Sequence, residues 1–92
     1  MSTVSRKVII CNKMGLHARP AMQFVDIANQ YKAEVHVRKG GEEPADVDGK
    51  SIMQMLTLEA IEGTTLQIDA DGDDAEAAVA SLAALIESGF GE

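Results

Sequence analysis

The chain changes direction and character within one short segment, residues 14–21, which read Met14-Gly15-Leu16-His17-Ala18-Arg19-Pro20-Ala21. Before it, the run Val8-Ile9-Ile10-Cys11 is typical of a buried strand, and a glycine-containing turn follows. After it, apolar residues recur at helical spacing as far as Ala28. Pro20 fits the first turn of that helix, where a missing N–H is tolerated. The segment therefore predicts a strand, a tight turn and an amphipathic helix, with His17 at or next to the helix N-cap.

A histidine at a helix start has chemical consequences. The N–H groups of the first turn lack partners within the helix and, with the helix dipole, favour an anion. Arg19 adds a positive charge beside His17, whose neutral imidazole is a nucleophile. These features suit a phosphoryl group, whose transfer depends on positioning and charge neutralisation. The alternative interpretation is a histidine that only caps the helix beside a surface arginine.

Two blocks of the sequence resemble the HPr family, the histidine phosphocarriers of the bacterial sugar phosphotransferase system. GLHARPA at residues 15–21, followed by QFV at 23–25, is similar to the active-site signature of that family. Lys50-Ser51-Ile52-Met53 resembles its regulatory serine segment. Glu62-Gly63-Thr64 and a late alanine-rich helix follow in the expected order, so the resemblance covers nearly the whole chain.

The resemblance implies a stoichiometric phosphoryl carrier rather than a turnover catalyst. In such a carrier, enzyme I passes a phosphoryl group from phosphoenolpyruvate to Nδ1 of His17, and an enzyme IIA-type acceptor receives it. Arg19, Gly15 and Ala18 correspond to the residues that hold the phosphoryl oxygens. The resemblance implies no metal and no organic cofactor.

Length and charge narrow the class of protein. Ninety-two residues suffice for one domain, residues 1–92. No apolar run is long enough to span a membrane and no signal peptide is evident, which predicts a cytoplasmic protein. The net charge of −7, with all lysines and arginines before residue 51, argues against nucleic acid as a partner. Cys11, the only cysteine, is predicted to be a small buried residue.

Periodicity outlines the remaining elements. Strands are predicted over residues 4–11, 33–38, 45–47 and 65–70, and helices over 18–31, 52–58 and 74–88. Pro44 limits the third strand to a sheet edge or a late start. The order βαββαβα predicts an α+β open-faced two-layer sandwich. The resemblance adds a four-stranded antiparallel sheet in the order 1-4-2-3, with three helices on one face. The stretch 38–49 is longer than in the HPr pattern, so the register of the hairpin between the second and third strands stays open.

The acidic run between Asp69 and Glu76 superficially resembles a calcium loop. The spacing of an EF-hand is missing, so the run is predicted to be a solvated turn and a helix start, with no metal site. His36 is predicted to be an exposed strand residue.

The short helix carries more apolar residues than one buried stripe accommodates. Ile52, Met53 and Leu56 share one side while Met55 and Leu58 share the other, so one cluster is expected to be exposed. The resemblance implies that donors and acceptors dock here, through Met22, Ile52, Met53 and Leu56. The alternative is that the apolar residues of this helix all belong to the hydrophobic core.

Ser51 is predicted to be the N-cap of this helix, forming a capping box with Gln54. By resemblance it matches the serine that an HPr kinase/phosphorylase modifies, and a phosphate there would repel acidic partners.

Other functions stay open beside the sugar-branch carrier. One is a carrier in a nitrogen-type regulatory branch. Another is a regulatory protein-binding module of the same fold, which acts through Ser51 and the patch Ile52, Met53 and Leu56 and leaves His17 unused. A third is a small-ligand domain whose glycine turn holds an anion. The chain is expected to be a monomer.

Overall fold

The computed structural model describes residues 3–92, which form a four-stranded antiparallel sheet in the order β1-β4-β2-β3. The strands are β1 (Thr3–Ile9), β2 (Glu34–Lys39), β3 (Ala45–Asp48) and β4 (Thr65–Asp71). The helices are α1 (Ala18–Ala28), α2 (Ile52–Leu56) and α3 (Ala75–Glu87), followed by a 3-10 turn at Gly89–Gly91. Element order, strand order and the open-faced layer of helices confirm the predicted fold class.

The core lies between the sheet and the helices. β2 and β4 alternate as expected: Val35, Val37, Leu66, Ile68 and Ala70 are buried. Val8 on β1 and Ile10 directly after it are buried, whereas Ile9 is 57% exposed, which settles the face that the sequence left open. The helices contribute fully buried side chains, namely Phe24, Met55, Leu82 and Ile86. Burying a large apolar side chain contributes about 1.5–3 kcal/mol, so these residues account for much of the stability.

The hairpin between β2 and β3 has a definite register. Val37 pairs with Val47 and Lys39 with Ala45, which leaves residues 40–44 as the connection. Pro44 lies just before β3, which is an edge strand. Both positions were expected, because proline has no N–H to donate to a neighbouring strand.

Two helices are shorter than predicted because their ends tighten. α1 ends at Ala28 rather than near residue 31, and the N–H groups of Gln30 and Tyr31 bond to carbonyls three residues earlier. α2 ends at Leu56 rather than near residue 58 in the same way: Leu58 N–H bonds to Met55. Such three-residue spacing is the usual ending of a helix that lacks a glycine cap.

The prediction of a buried Cys11 is wrong. β1 ends at Ile9, and because Ile10 points inward, the next side chain points outward. Cys11 is exposed, and its Sγ lies 3.3 Å from the carbonyl oxygen of Ile86 at the end of α3.

The acidic turn before α3 has a structural use that the sequence did not reveal. Asp74 is the N-cap of α3, but its carboxylate accepts hydrogen bonds from the backbone N–H groups of Lys32 and Ala33, each at 2.8 Å. The hydrogen bond from Lys32, which has the larger effect, and that from Ala33 both lower the pKa of Asp74. The start of α3 is thereby tied to the connection between α1 and β2.

No helix within residues 3–92 is both long enough and apolar enough to cross a lipid bilayer.

Candidate functional site

The loop that precedes α1 is pinned to a distant segment of backbone. Leu16 N–H donates to the carbonyl of Ala60 at 2.8 Å, and Gly15 N–H donates to that of Asn12 at 3.1 Å. Gly15 has a φ of +67°, and a Cβ at this position would collide with the carbonyl oxygen of Ala60. Only glycine combines that backbone conformation with so close an approach. The loop conformation therefore depends on Gly15.

His17 is the N-cap of α1, as the sequence predicted, and its backbone is extended, with φ −86° and ψ −168°. Its carbonyl accepts the N–H of Ala21 and closes the first turn, while its side chain makes no capping bond to the helix. The amides of Ala18 and Arg19 form no hydrogen bond with any residue of the described range 3–92. Two backbone donors at the positive end of α1 are therefore free beside the histidine.

Arg19 is exposed at the second position of α1. Its guanidinium forms no ion pair with the part of the chain that the structure describes. Its positive charge is thus available at the same helix start. The structure brings together Gly15, His17, Ala18 and Arg19, which the sequence proposed as one site.

Two further residues contact this site, and the sequence predicted neither of them. Nε2 of His17 lies 2.8 Å from Oε2 of Glu92, and Asn12 Nδ2 donates to Oε1 of Glu92 at 3.0 Å. Asn12 is only 6% exposed and also donates to the carbonyl of Gly15 at 2.8 Å. The hydrogen bond from Asn12, followed by that from His17 and by the charges of His17 and Arg19, lowers the pKa of Glu92. Glu92 is therefore a carboxylate at neutral pH.

An unusual turn brings Glu92 to the histidine. After α3, Gly89, Phe90 and Gly91 adopt positive φ angles in succession, of 71°, 58° and 74°. Phe90 is 3% exposed and anchors this turn in the core. Glu92 lies 75 residues from His17, so no local pattern in the sequence could have linked the two.

The apolar surplus on α2 divides as the helical spacing predicts. Met55 and Leu58 are buried, whereas Met53 is 81% exposed and Ile52 and Leu56 are 37% and 39% exposed. Met22, on α1, is 51% exposed, and α1 packs against α2. Of the two clusters on α2, the one formed by Ile52, Met53 and Leu56 is exposed. We call these three residues and Met22 the apolar patch.

Ser51 caps α2, but the predicted capping box is only half formed. Its Oγ accepts the N–H of Gln54 at 3.2 Å. The side chain of Gln54 does not return to Ser51; its Oε1 accepts the N–H of Asp48 at 2.9 Å instead. β3 ends at Asp48, close to the start of α2, and this leaves a strand N–H within reach of Gln54.

A concavity of about 730 Å³ lies elsewhere in the described part of the chain. Lys7, Arg38 and Gln67 are among its lining residues, and none of the residues around His17 belongs to it. His17 lies outside this concavity, and its side chain is 36% exposed, so another protein can reach it.

Comparison with known proteins identifies the family. A family model described as "PTS HPr component phosphorylation site" matches residues 4–88. The chain belongs to the HPr family. It is 40% identical to the phosphocarrier protein HPr of Neisseria meningitidis serogroup A over 97% of both chains, and 37% identical to the phosphocarrier protein NPr of Escherichia coli K12 over 98% of both. A crystal structure of HPr from Thermoanaerobacter tengcongensis matches with a TM-score of 0.85 at 40% identity, covering 100% of this chain and 98% of that one.

Membership gives the chain its general role. It is a phosphocarrier of the HPr and NPr type. The HPr and NPr relatives match it over almost the same length, with identities of 40% and 37%, so similarity alone does not assign it to one of the two groups.

Proposed function

We propose that His17 is the phosphoryl acceptor of this carrier, that phospho-enzyme I is its donor and that enzyme IIA-type proteins are its acceptors. One observation supports this most directly. His17 is partly exposed at the start of α1, next to two unbonded backbone amides and the positive charge of Arg19. A phosphoryl group needs such donors more than it needs covalent help.

The transfer is a displacement at phosphorus. Nδ1 of His17 attacks, the Nδ1–P bond forms, and the bond between phosphorus and the donor histidine breaks, with its electron pair going to the donor nitrogen. The amides of Ala18 and Arg19 and the guanidinium of Arg19 bind the phosphoryl oxygens, and Gly15 keeps the loop in the required conformation. Because these groups are exposed to water, they hold the phosphate only moderately, which suits a carrier that must release it.

The apolar patch is the proposed docking surface for donor and acceptors. Its four side chains are all exposed, and methionine adapts to partners of different shape. A carrier that binds several proteins in turn requires such a surface.

Phosphorylation of Ser51 by an HPr kinase/phosphorylase is a second proposed role. Ser51 is partly exposed and directly precedes Ile52 and Met53 of the apolar patch. A phosphate there would bring negative charge to the edge of the docking surface and oppose binding of acidic partners. The chain would then act as a regulatory module as well as a carrier.

Incubation with phosphoenolpyruvate and enzyme I tests the carrier function. We expect one acid-labile phosphate in the unaltered protein and in His36→Ala, whose histidine lies on β2, and none in His17→Ala. Both variants should melt like the unaltered protein, since neither side chain is buried. Phosphate uptake by His17→Ala would refute the site, and no uptake by the unaltered protein would favour the anion-binding domain or the purely regulatory module.

Repeating the reaction with enzyme I from the sugar branch and from the nitrogen branch compares the two pathways.

A further inference from the structure

The contact between His17 and Glu92 goes beyond the family signature, because it joins the motif to a residue outside it. The distance of 2.8 Å between Nε2 and Oε2 is that of a charge-assisted hydrogen bond. Asn12, almost fully buried, holds the other oxygen of the same carboxylate at 3.0 Å. Glu92 is therefore positioned from two sides, and the side chains of His17 and Glu92 are 36% and 26% exposed.

This hydrogen bond has a direction. Because its pKa is lowered by Asn12 first and then by His17, Glu92 carries no proton at neutral pH and can only accept. The hydrogen between the two residues must then belong to Nε2 of His17. In a neutral imidazole only one nitrogen carries hydrogen, so Nδ1 keeps its lone pair.

We propose that Glu92 is a positioning residue for phosphoryl transfer: its carboxylate holds the His17 ring in the tautomer that leaves Nδ1 free to attack phosphorus. The inference rests on the proposed function of His17. The same arrangement of a carboxylate behind an imidazole fixes ring tautomer and orientation in hydrolases with a serine, histidine and aspartate triad.

Charge balance gives Glu92 a second effect on the same step. The neutral ring attacks through Nδ1 and keeps the hydrogen on Nε2, so the phosphorylated ring is a cation that bears a phosphoryl group. The donor ring, which carries its own hydrogen on the other nitrogen, leaves as neutral imidazole with the electron pair of the broken bond. The carboxylate of Glu92 then lies 2.8 Å from the nitrogen of the ring that has become positive. It stabilises the phosphorylated form as well as orienting the free one.

Three variants separate position from charge. Glu92→Ala removes both the acceptor and the charge. Glu92→Gln keeps an acceptor oxygen and removes the charge. Glu76→Gln is the matched control, since Glu76 is an exposed acid at the far end of α3.

Two measurements are made on each variant. Long-range proton–nitrogen NMR of the neutral imidazole reports which nitrogen carries hydrogen, with His36 as the internal reference. Rapid-quench kinetics with phospho-enzyme I report the rate of phosphoryl acceptance. We expect Glu92→Ala to shift His17 toward a mixture of tautomers and to slow acceptance about 3- to 10-fold, as for loss of one charge-assisted hydrogen bond at a partly exposed site. Glu92→Gln should keep the tautomer of His17, and its rate of phosphoryl acceptance should lie between those of Glu92→Ala and the unaltered protein. Glu76→Gln should match the unaltered protein in both measurements.

The possible outcomes decide between explanations. An unchanged tautomer or an unchanged rate in Glu92→Ala overturns the inference alone. A faster rate also overturns it, because the carboxylate would then obstruct the donor. Absence of phosphate uptake by the unaltered protein overturns the proposed function and this inference with it.

Discussion

The backbone N–H of Leu16 donates a 2.8 Å hydrogen bond to the carbonyl of Ala60, and this bond joins the histidine loop to the connection between α2 and β4. The loop that carries His17 is thereby tied to the segment that follows α2, the helix with three residues of the apolar patch. Gly15 makes the link possible, because it alone lets the loop approach Ala60 so closely.

Substitution Gly15→Ala tests this link. We expect it to lower the free energy of unfolding by about 2–4 kcal/mol, since it adds a steric collision to the cost of a positive φ. Gly63→Ala is the control, because Gly63 has a φ of +90° but nothing within 4 Å of a Cβ, and it should lose only about 1 kcal/mol. Chemical denaturation of both variants measures the difference. Equal losses would show that the close approach to Ala60 has no energetic weight.

Much of the fold could be predicted because its signals are local. Strand alternation placed Val35 and Val37 inward, and helical spacing divided Met53 from Met55. The errors arise where tertiary contacts decide. Gln54 bonds to Asp48 rather than to its own helix start. The unbroken apolar run Val8-Ile9-Ile10 does not show which face of β1 is buried, so the exposure of Cys11 could not be predicted.

The site divides in the same way. His17 and Arg19 belong to one motif that marks both a helix start and a chemistry, so the sequence was sufficient to propose them. Asn12 lies in the turn between β1 and His17, and nothing in the local sequence marks Asn12 as a partner of Glu92 or Glu92 as a neighbour of His17. Both depend on how the chain folds back after α3.

Met53→Asp tests the apolar patch. Because Met53 is 81% exposed, we expect the melting temperature to stay within a few degrees, while binding of enzyme I weakens by about 2 kcal/mol or more. Ile9→Asp, on the outer face of β1 and 57% exposed, should leave binding unchanged. Isothermal titration calorimetry with both variants measures the effect. Equal weakening by the two substitutions would point to charge repulsion rather than to a docking surface.

Asp74 predicts a pH dependence of stability. Hydrogen bonds from the backbone of Lys32 and then of Ala33 lower its pKa in the folded protein. The stability that the carboxylate contributes is therefore fully present above the pKa of the unfolded chain, 3.8, and is lost as the pH falls through the lower pKa of the folded protein. Asp74→Ala should therefore melt at a lower temperature than the unaltered protein at pH 7, and the gap should narrow under acid conditions. Asp73→Ala is the control, since the neighbouring Asp73 is exposed and accepts no side-chain hydrogen bond from residues 3–92. A gap that stays constant with pH would contradict the role of the carboxylate charge.

Ser51 combines a structural and a proposed regulatory role, and two substitutions separate them. Asparagine and aspartate both replace serine well as N-caps, because each offers a side-chain oxygen to the N–H of Gln54, so neither variant should lose more than about 0.5 kcal/mol of stability. Only Ser51→Asp adds a negative charge beside Ile52 and Met53. If charge at this position regulates docking, Ser51→Asp should slow phosphoryl acceptance from enzyme I several-fold while Ser51→Asn keeps the normal rate. A phosphate carries more charge than aspartate and should act more strongly in the same direction. Equal rates in the two variants would mean that charge at this helix start does not reach the docking surface, and Ser51 would then be a helix cap alone.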